Sequence, residues 1–356
     1  MDITKKTIIY IACPANVVTG GPETLHQLGF QLNNRHFDVK MYYYGKEKHQ
    51  IKIPDKFKKY GLEYVSEIED VSSNIVIIPE TSTYLLYEFE NIQKVIWWLS
   101  VDFYTLGFLK NRVTNFIKKH KISPIIALIL HPLLYLAYRI KYGKDNALNF
   151  EKDKNINEYF HLYNCHYGLE FLLQNGVLVE NTYYLCGPIS NEYFNNNLSE
   201  MQKKDIVLYN PKKGLEYTIK VREYIKKVAP AIEIIPIINM DSSQIIDLLK
   251  ESKVYMDFGF FPGPERIPRE AVLNYCNIIT STKGSAKNNI DFPIPTKYKI
   301  NIDEELVENV GNKVIQMINY YNEQVSDFDK YRKKVADQVE TFEINIDKIF
   351  SINEGI

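Results

Sequence analysis

The chain predicts an α/β protein built of two parallel-sheet halves. Short apolar runs bounded by turn residues recur along it, helical patterns separate them, and a polar, asparagine-rich stretch interrupts the alternation near the middle. At 356 residues it exceeds one typical core, so two domains are expected, and 45% hydrophobic with 24% charged residues is a globular composition.

In the first half, residues 7–13 read as a strand, 23–33 as a helix, and 38–44, 75–79 and 95–99 as strands, with 161–165 and 182–185 continuing the pattern. Lysines precede the first apolar run, but that run goes straight into a glycine turn and a helix. It is therefore read as a strand and not a signal peptide, and the expected compartment is the cytoplasm. The stretch 190–205 is the expected linker, giving an N-terminal domain over 1–200 and a second over 201–334. The second half runs from a strand at 206–209 through a helix at 214–228, a strand at 233–238 and a helix at 242–251. The final segment, 328–350, is helical in pattern, and 335–356 is expected to pack back on the first domain.

Composition excludes several classes. A net charge of -1 gives no general reason to expect nucleic acid. Cys13, Cys165, Cys186 and Cys276 are far apart and form no CxxC, which argues for reduced, buried thiols over a zinc site or disulfide framework. His26, His131, His161 and His166 lack metal-ligand spacing, so no metal is assigned. Neither GxGxxG nor GxxxxGK[ST] occurs, which removes the dinucleotide fingerprint and the P-loop.

The most informative stretch, 255–285, orders a strand, a polar turn, a helix start, a second strand and a glycine turn. Gly263 and Pro264 lie in the turn, and Pro268 suits the first helical turn, where its missing N–H costs nothing. Arg269 and Glu270 then lie near the helix N-terminus. Free N–H groups and the positive end of the helix dipole suit a diphosphate, and a carboxylate such as Glu270 suits two ribose hydroxyls. Lys283, Gly284 and Ser285 form a second turn able to approach a phosphate. The bland alternative is an ordinary βαβ unit with solvated charges. Two further turns follow the first strand of each half: Gly20 and Gly21 before Glu23, and Asn210, Lys212, Lys213 and Gly214.

These motifs, in this order, resemble the GT-B class of glycosyltransferases, and within it the retaining, family-4-like transferases of bacterial capsule and O-antigen synthesis. The resemblance spans nearly the whole chain. It implies two Rossmann-like domains facing a central cleft and transfer of a sugar from a nucleotide-diphosphate sugar to a glycan or lipid-linked acceptor, with no cofactor. It also implies that Glu270 holds the donor ribose, that Lys213 meets the diphosphate, and that Gly20 and Gly21 approach the donor. One departure is Pro262, where the family often has a second glutamate eight positions before the ribose-binding one. Glu265 substitutes for it, or its role passes to Arg266 or Arg269.

Such a reaction asks for cations and N–H dipoles near the leaving diphosphate, for which Lys213, Arg266 and Arg269 are candidates. An inverting version needs a base on the acceptor side, and Asp102, read as ending a strand at the cleft, is the candidate; Trp97 and Trp98 beside it stack on sugar or pack in the core. The pair Asp327 and Asp329 is read as a solvated helix start. Residues 122–138 contain no charge, and basic residues at 110–144 flank them. That pattern fits an amphipathic hairpin on the anionic inner face of the membrane, the alternatives being a buried helix pair or a true span. A sugar-nucleotide 2-epimerase and a catalytically silent partner protein remain as other functional readings.

Overall fold

A computed structural model of the chain describes residues 1–45, 53–143, 145, 147–151, 153–194 and 202–352. Lys144 and the linker residues 195–201 lie outside these. Two compact units result, one of residues 1–164 with 168–185 and a piece beginning at Glu343, the other of 165–167 with 186–342.

The first unit runs β1 (Ile8–Pro14), α1 (Gly20–Asn34), β2 (Asp38–Tyr44), α2 (Asp55–Lys58), β3 (Tyr64–Val65), β4 (Ile75–Pro79), β5 (Gln93–Trp98), α3 (Val101–Thr105), α4 (Leu109–Lys119), α5 (Pro124–Tyr142), β6 (Phe160–Tyr163), α6 (His166–Gln174) and β7 (Thr182–Tyr184). Its seven strands are all parallel, in the order β3-β2-β1-β4-β5-β6-β7. Every residue of β4 is buried, as a parallel strand covered on both faces requires. That is why its sequence, IVIIP, is continuously apolar instead of alternating.

The second unit runs β8 (Lys204–Tyr209), α7 (Leu215–Val228), β9 (Glu233–Pro236), α8 (Ser242–Glu251), β10 (Ser252–Asp257), α9 (Arg266–Leu273), β11 (Asn277–Ser281), β12 (Lys299–Ile300), α10 (Val307–Asn319), α11 (Tyr321–Gln324), α12 (Asp329–Ala336) and the start of α13 (Gln338–Ile349), which counts with the first unit from Glu343 onward. Its strands are also parallel, in the order β12-β11-β10-β8-β9. Winding reverses between β1 and β4 in the first sheet and between β8 and β10 in the second. In open α/β sheets the crevice outside such a reversal is where ligands bind.

Local differences from the sequence reading have simple causes. Helix α1 starts at Gly20 with Thr19 as N-cap, because both glycines take helical geometry and Pro22 is tolerated in the first turn. The helical pattern at 328–350 breaks at Asp337 into α12 and α13. Asp327 is held by the Tyr298 hydroxyl at 2.6 Å and Lys297 at 2.7 Å, so it is a bridging group and not a solvated helix start. Trp97 and Trp98 are core residues: their indole N–H groups donate to the Leu185 carbonyl at 3.1 Å and to His161 Nδ1 at 2.9 Å. Neither ring is available to a sugar. His161 Nε2 then carries the proton and donates to the Ile156 carbonyl at 2.8 Å, and burial pushes its pKa down to about 4.

At the carboxyl end of β4 the buried side chain of Glu80 accepts the Leu99 amide at 2.9 Å, and burial outweighs its amide contacts, pushing its pKa up to about 8. The folded protein holds this proton where the unfolded chain has lost it. Stability from this group is therefore full below about pH 4.5 and is lost as pH rises to about 8, by about 5 kcal/mol at most. The Glu80→Gln variant cannot titrate there, so its stability relative to the parent, measured by urea unfolding, should rise steadily from pH 5 to pH 8. A difference independent of pH would show that Glu80 is not held protonated.

Candidate active site

Three turns close over the carboxyl edge of the second sheet at its reversal. After β8, Asn210 Oδ1 accepts the Lys212 amide at 3.0 Å, and Gly214 follows in the left-handed region at φ 58°. A Cβ on Gly214 would stand 2.5 Å from the Phe258 carbonyl carbon, and one on Gly259 2.4 Å from Lys213 Cβ. The turns after β8 and β10 therefore touch backbone to backbone. After β11, Gly284 (φ 67°) presses on Phe261 so closely that a Cβ would meet its carbonyl oxygen at 2.1 Å. Phe261 donates its amide to the Lys283 carbonyl at 3.3 Å and accepts the Ser285 amide at 2.9 Å, while the Ser285 hydroxyl donates to the Gly263 carbonyl at 2.8 Å.

Beneath the stack, Asp257 ends β10. Its carboxylate accepts the Gly259 amide and the Tyr255 hydroxyl, both at 2.9 Å, and burial pushes its pKa up to about 6. Above it, Lys213 Nζ pairs with Glu265 Oε2 at 2.6 Å, and Arg266 Nε stands 3.4 Å from Glu270 Oε1. Glu270 is buried, and burial raises its pKa against the opposing pull of Arg266, Arg269 and the Tyr193 hydroxyl. Arg266 also reaches the Ser190 hydroxyl at 3.5 Å. Lys213, Glu265 and Arg266 are each partly open to solvent, whereas the Glu270 side chain is 5% exposed.

The structure thus gathers Asn210, Lys212, Lys213, Gly263, Pro264, Glu265, Arg266 and Glu270 at the reversal and corrects several expected roles. Arg269 is buried and donates to the carbonyls of Glu265 (3.2 Å) and Gly187 (3.0 Å) and to Gln338 Oε1 (2.9 Å), so it holds the fold and does not face a ligand. The Ser285 amide and hydroxyl and the backbone of Gly284 are engaged in the turn stack, and Lys283 pairs with Asp303 at 3.1 Å. The Ser285 donors are therefore spent within the turn, while the Lys283 side chain stays partly open to solvent. Sequence reasoning missed Asp257, Gly259 and Tyr193. Asp257 carried one signal, a lone acid ending an apolar strand, but Tyr193 sat in a stretch read as linker.

In the first unit, Gly20 and Gly21 form the first turn of α1 and not a loop before it. Glu23, next to them, is buried. Burial opposes its ionisation, but Lys56 at 2.8 Å, the Tyr60 hydroxyl at 2.7 Å and Lys59 at 3.2 Å outweigh it and push its pKa down to about 2. Asp102 lies in the first turn of α3, beyond the end of β5, and its carbonyl accepts the Thr105 hydroxyl at 2.7 Å. Among the described residues, no three His, Cys, Asp or Glu side chains gather into a metal-holding cluster.

No family model and no curated protein matches the sequence. Solved structures do match in fold. HepE of Anabaena, in complex with UDP-glucose, aligns with a TM-score of 0.57 at 10% identity over 97% of this chain and 99% of that one. The sucrose-phosphate synthase of Thermosynechococcus elongatus gives 0.56 at 13% identity over 97% and 98%. TarM gives 0.53 at 14% identity over 80% of this chain and 56% of its own, so the match spans little more than half of TarM. The fold is GT-B, as the resemblance implied.

Since the turns meet through positions with no room for a Cβ, Gly214→Ala should destabilise the second unit. Left-handed strain and the clash with Phe258 together should cost about 2–5 kcal/mol in urea unfolding. A loss below about 0.5 kcal/mol, the level of an ordinary surface change, would contradict the close approach.

Proposed function

We propose that the chain is a glycosyltransferase that moves a sugar from a nucleotide-diphosphate sugar to a glycan or lipid-linked acceptor in cell-surface polysaccharide synthesis. The observation that carries this reading is the paired set Lys213–Glu265 and Arg266–Glu270, placed at the reversal of the second sheet over turns that only glycine can close. The GT-B fold supports it, as does the binding of UDP-glucose by HepE on that fold.

The bond between the anomeric carbon and the diphosphate oxygen breaks, and a bond from that carbon to an acceptor hydroxyl oxygen forms. The hydroxyl proton passes to a base or to the departing diphosphate. Negative charge grows on the diphosphate, so Lys213, Arg266 and the first amides of α9 stabilise it. Glu265 and Glu270 hold the two cations in place before the ligand arrives, which limits reorganisation during the reaction. Glu270 accepts the ribose hydroxyls. Asp102 is the base in an inverting version and has no such duty in a retaining one. The nucleotide sugar is substrate, no resident cofactor enters the reading, and the chain works in the cytoplasm, peripherally on the inner face of the membrane.

UDP and UDP-glucose are the first ligands to test, by titration calorimetry. Glu270→Ala should weaken both about tenfold or more, whereas Lys213→Ala should weaken UDP by about as much and uridine little, since a charged contact to the diphosphate is lost. Two variants that bind like the parent would overturn the site assignment.

A further inference from the structure

We infer that the hairpin of α4 and α5 is a monotopic anchor that lays α5 in one leaflet of an anionic bilayer without crossing it. Helix α5 has no buried residue along its 19 positions. Ile125, Leu128, Ile129, Leu133, Leu136 and Ile140 are 56–80% exposed and fall on one broad stripe at helical spacing. The opposite side rests on α4, where Phe116 meets Tyr138 edge to face at 6.3 Å and Arg112 covers the Tyr142 ring at 4.9 Å. An apolar stripe of this size left in water is unfavourable, so something covers it.

Charge names the occupant. Residues 103–143 hold seven of the chain's 43 Lys and Arg and none of its 44 Asp and Glu. Lys118, Lys119 and Lys121 stand at the entry to α5, and Arg139 and Lys141 at its exit. A soluble partner needs no such one-sided charge at both ends of a greasy helix, whereas an anionic lipid surface draws each cation near it.

Topology decides how α5 meets the bilayer. By length and composition alone α5 could span, being 19 residues long with an 18-residue stretch of mean hydropathy 1.3. Yet α4 and α5 are inserted between β5 and β6, which pair in register from Val95 with Phe160 to Trp98 with Tyr163. One crossing would put two hydrogen-bonded strands on opposite sides of the membrane. The return would fall to α4, whose 11 residues reach about 16 Å, roughly half a bilayer core, and carry Lys110, Arg112, Lys118 and Lys119. Both ends of α5 therefore stay on one side, and its exposed stripe enters the leaflet sideways. The same absence of buried residues removes the alternative of a buried helix pair.

The test is flotation of the full chain with phosphatidylcholine vesicles with and without phosphatidylglycerol, alongside UDP binding as an independent readout of the second unit. The parent should float with the anionic vesicles only, and less at high salt. Leu133→Glu and the double variant Lys118→Glu with Lys119→Glu should each lose about tenfold or more in partitioning, with unfolding and UDP binding unchanged. Single cysteines at 125, 133 and 140, spin-labelled, should all report similar shallow depth. No partitioning of the parent, equal partitioning to neutral vesicles, a dimer in solution that buries α5, or a label at 133 deep with 125 and 140 at opposite faces would overturn the inference. Failure of UDP binding in the parent would strike the donor site alone and leave the anchor standing.

Discussion

The second unit depends on one constraint: three turns meet backbone to backbone at the edge of its sheet, and at each contact a side chain has no room. Gly214 faces the Phe258 carbonyl, Gly259 faces Lys213, and Gly284 faces the Phe261 carbonyl. Two of the three are also left-handed, at φ 58° and 67°. Closing the turns in this way fixes where Lys213 leaves the backbone and where α9 begins. Charge placement follows from that, since Lys213 and Glu265 come from two turns that would otherwise be free to part. The buried Asp257 carboxyl ties the base of the stack through the Gly259 amide and the Tyr255 hydroxyl.

Much of the fold was legible because parallel strands buried on both faces leave continuous apolar runs, and turn residues bound them. The runs at 38–44 and 75–79 coincide with β2 and β4. Helix starts were harder. The glycine pair at Gly20 and Gly21 reads as a turn, yet glycine accepts helical geometry, and nothing in the local pattern separates the two states.

The charged cluster was legible in membership but not in role. Lys213, Glu265, Arg266 and Glu270 do come together, because the ends of β8 and β10 show as apolar runs closed by turn residues and Pro268 marks the first turn of α9. Which cation faces solvent and which is buried depends on contacts from far along the chain. Arg269 sits one residue from Glu270, but Gly187 and Gln338 meet it, 82 and 69 positions away. Likewise Lys283 finds Asp303, and the turn at Ser285 closes on Gly263. No spacing rule announces such partners. The exposed stripe on α5 has the reverse character: composition and flanking charge were plain in the sequence, and only the pairing of β5 with β6 tells lying from spanning.

The most direct test of the central claim is hydrogen exchange of the full chain with and without a saturating nucleotide-diphosphate sugar. The account predicts added protection at the amides of 212–214 and 258–267, where the turns and the start of α9 face the reversal of the second sheet. Protection confined to other segments, or none while the ligand is bound, would contradict the placement of the donor site.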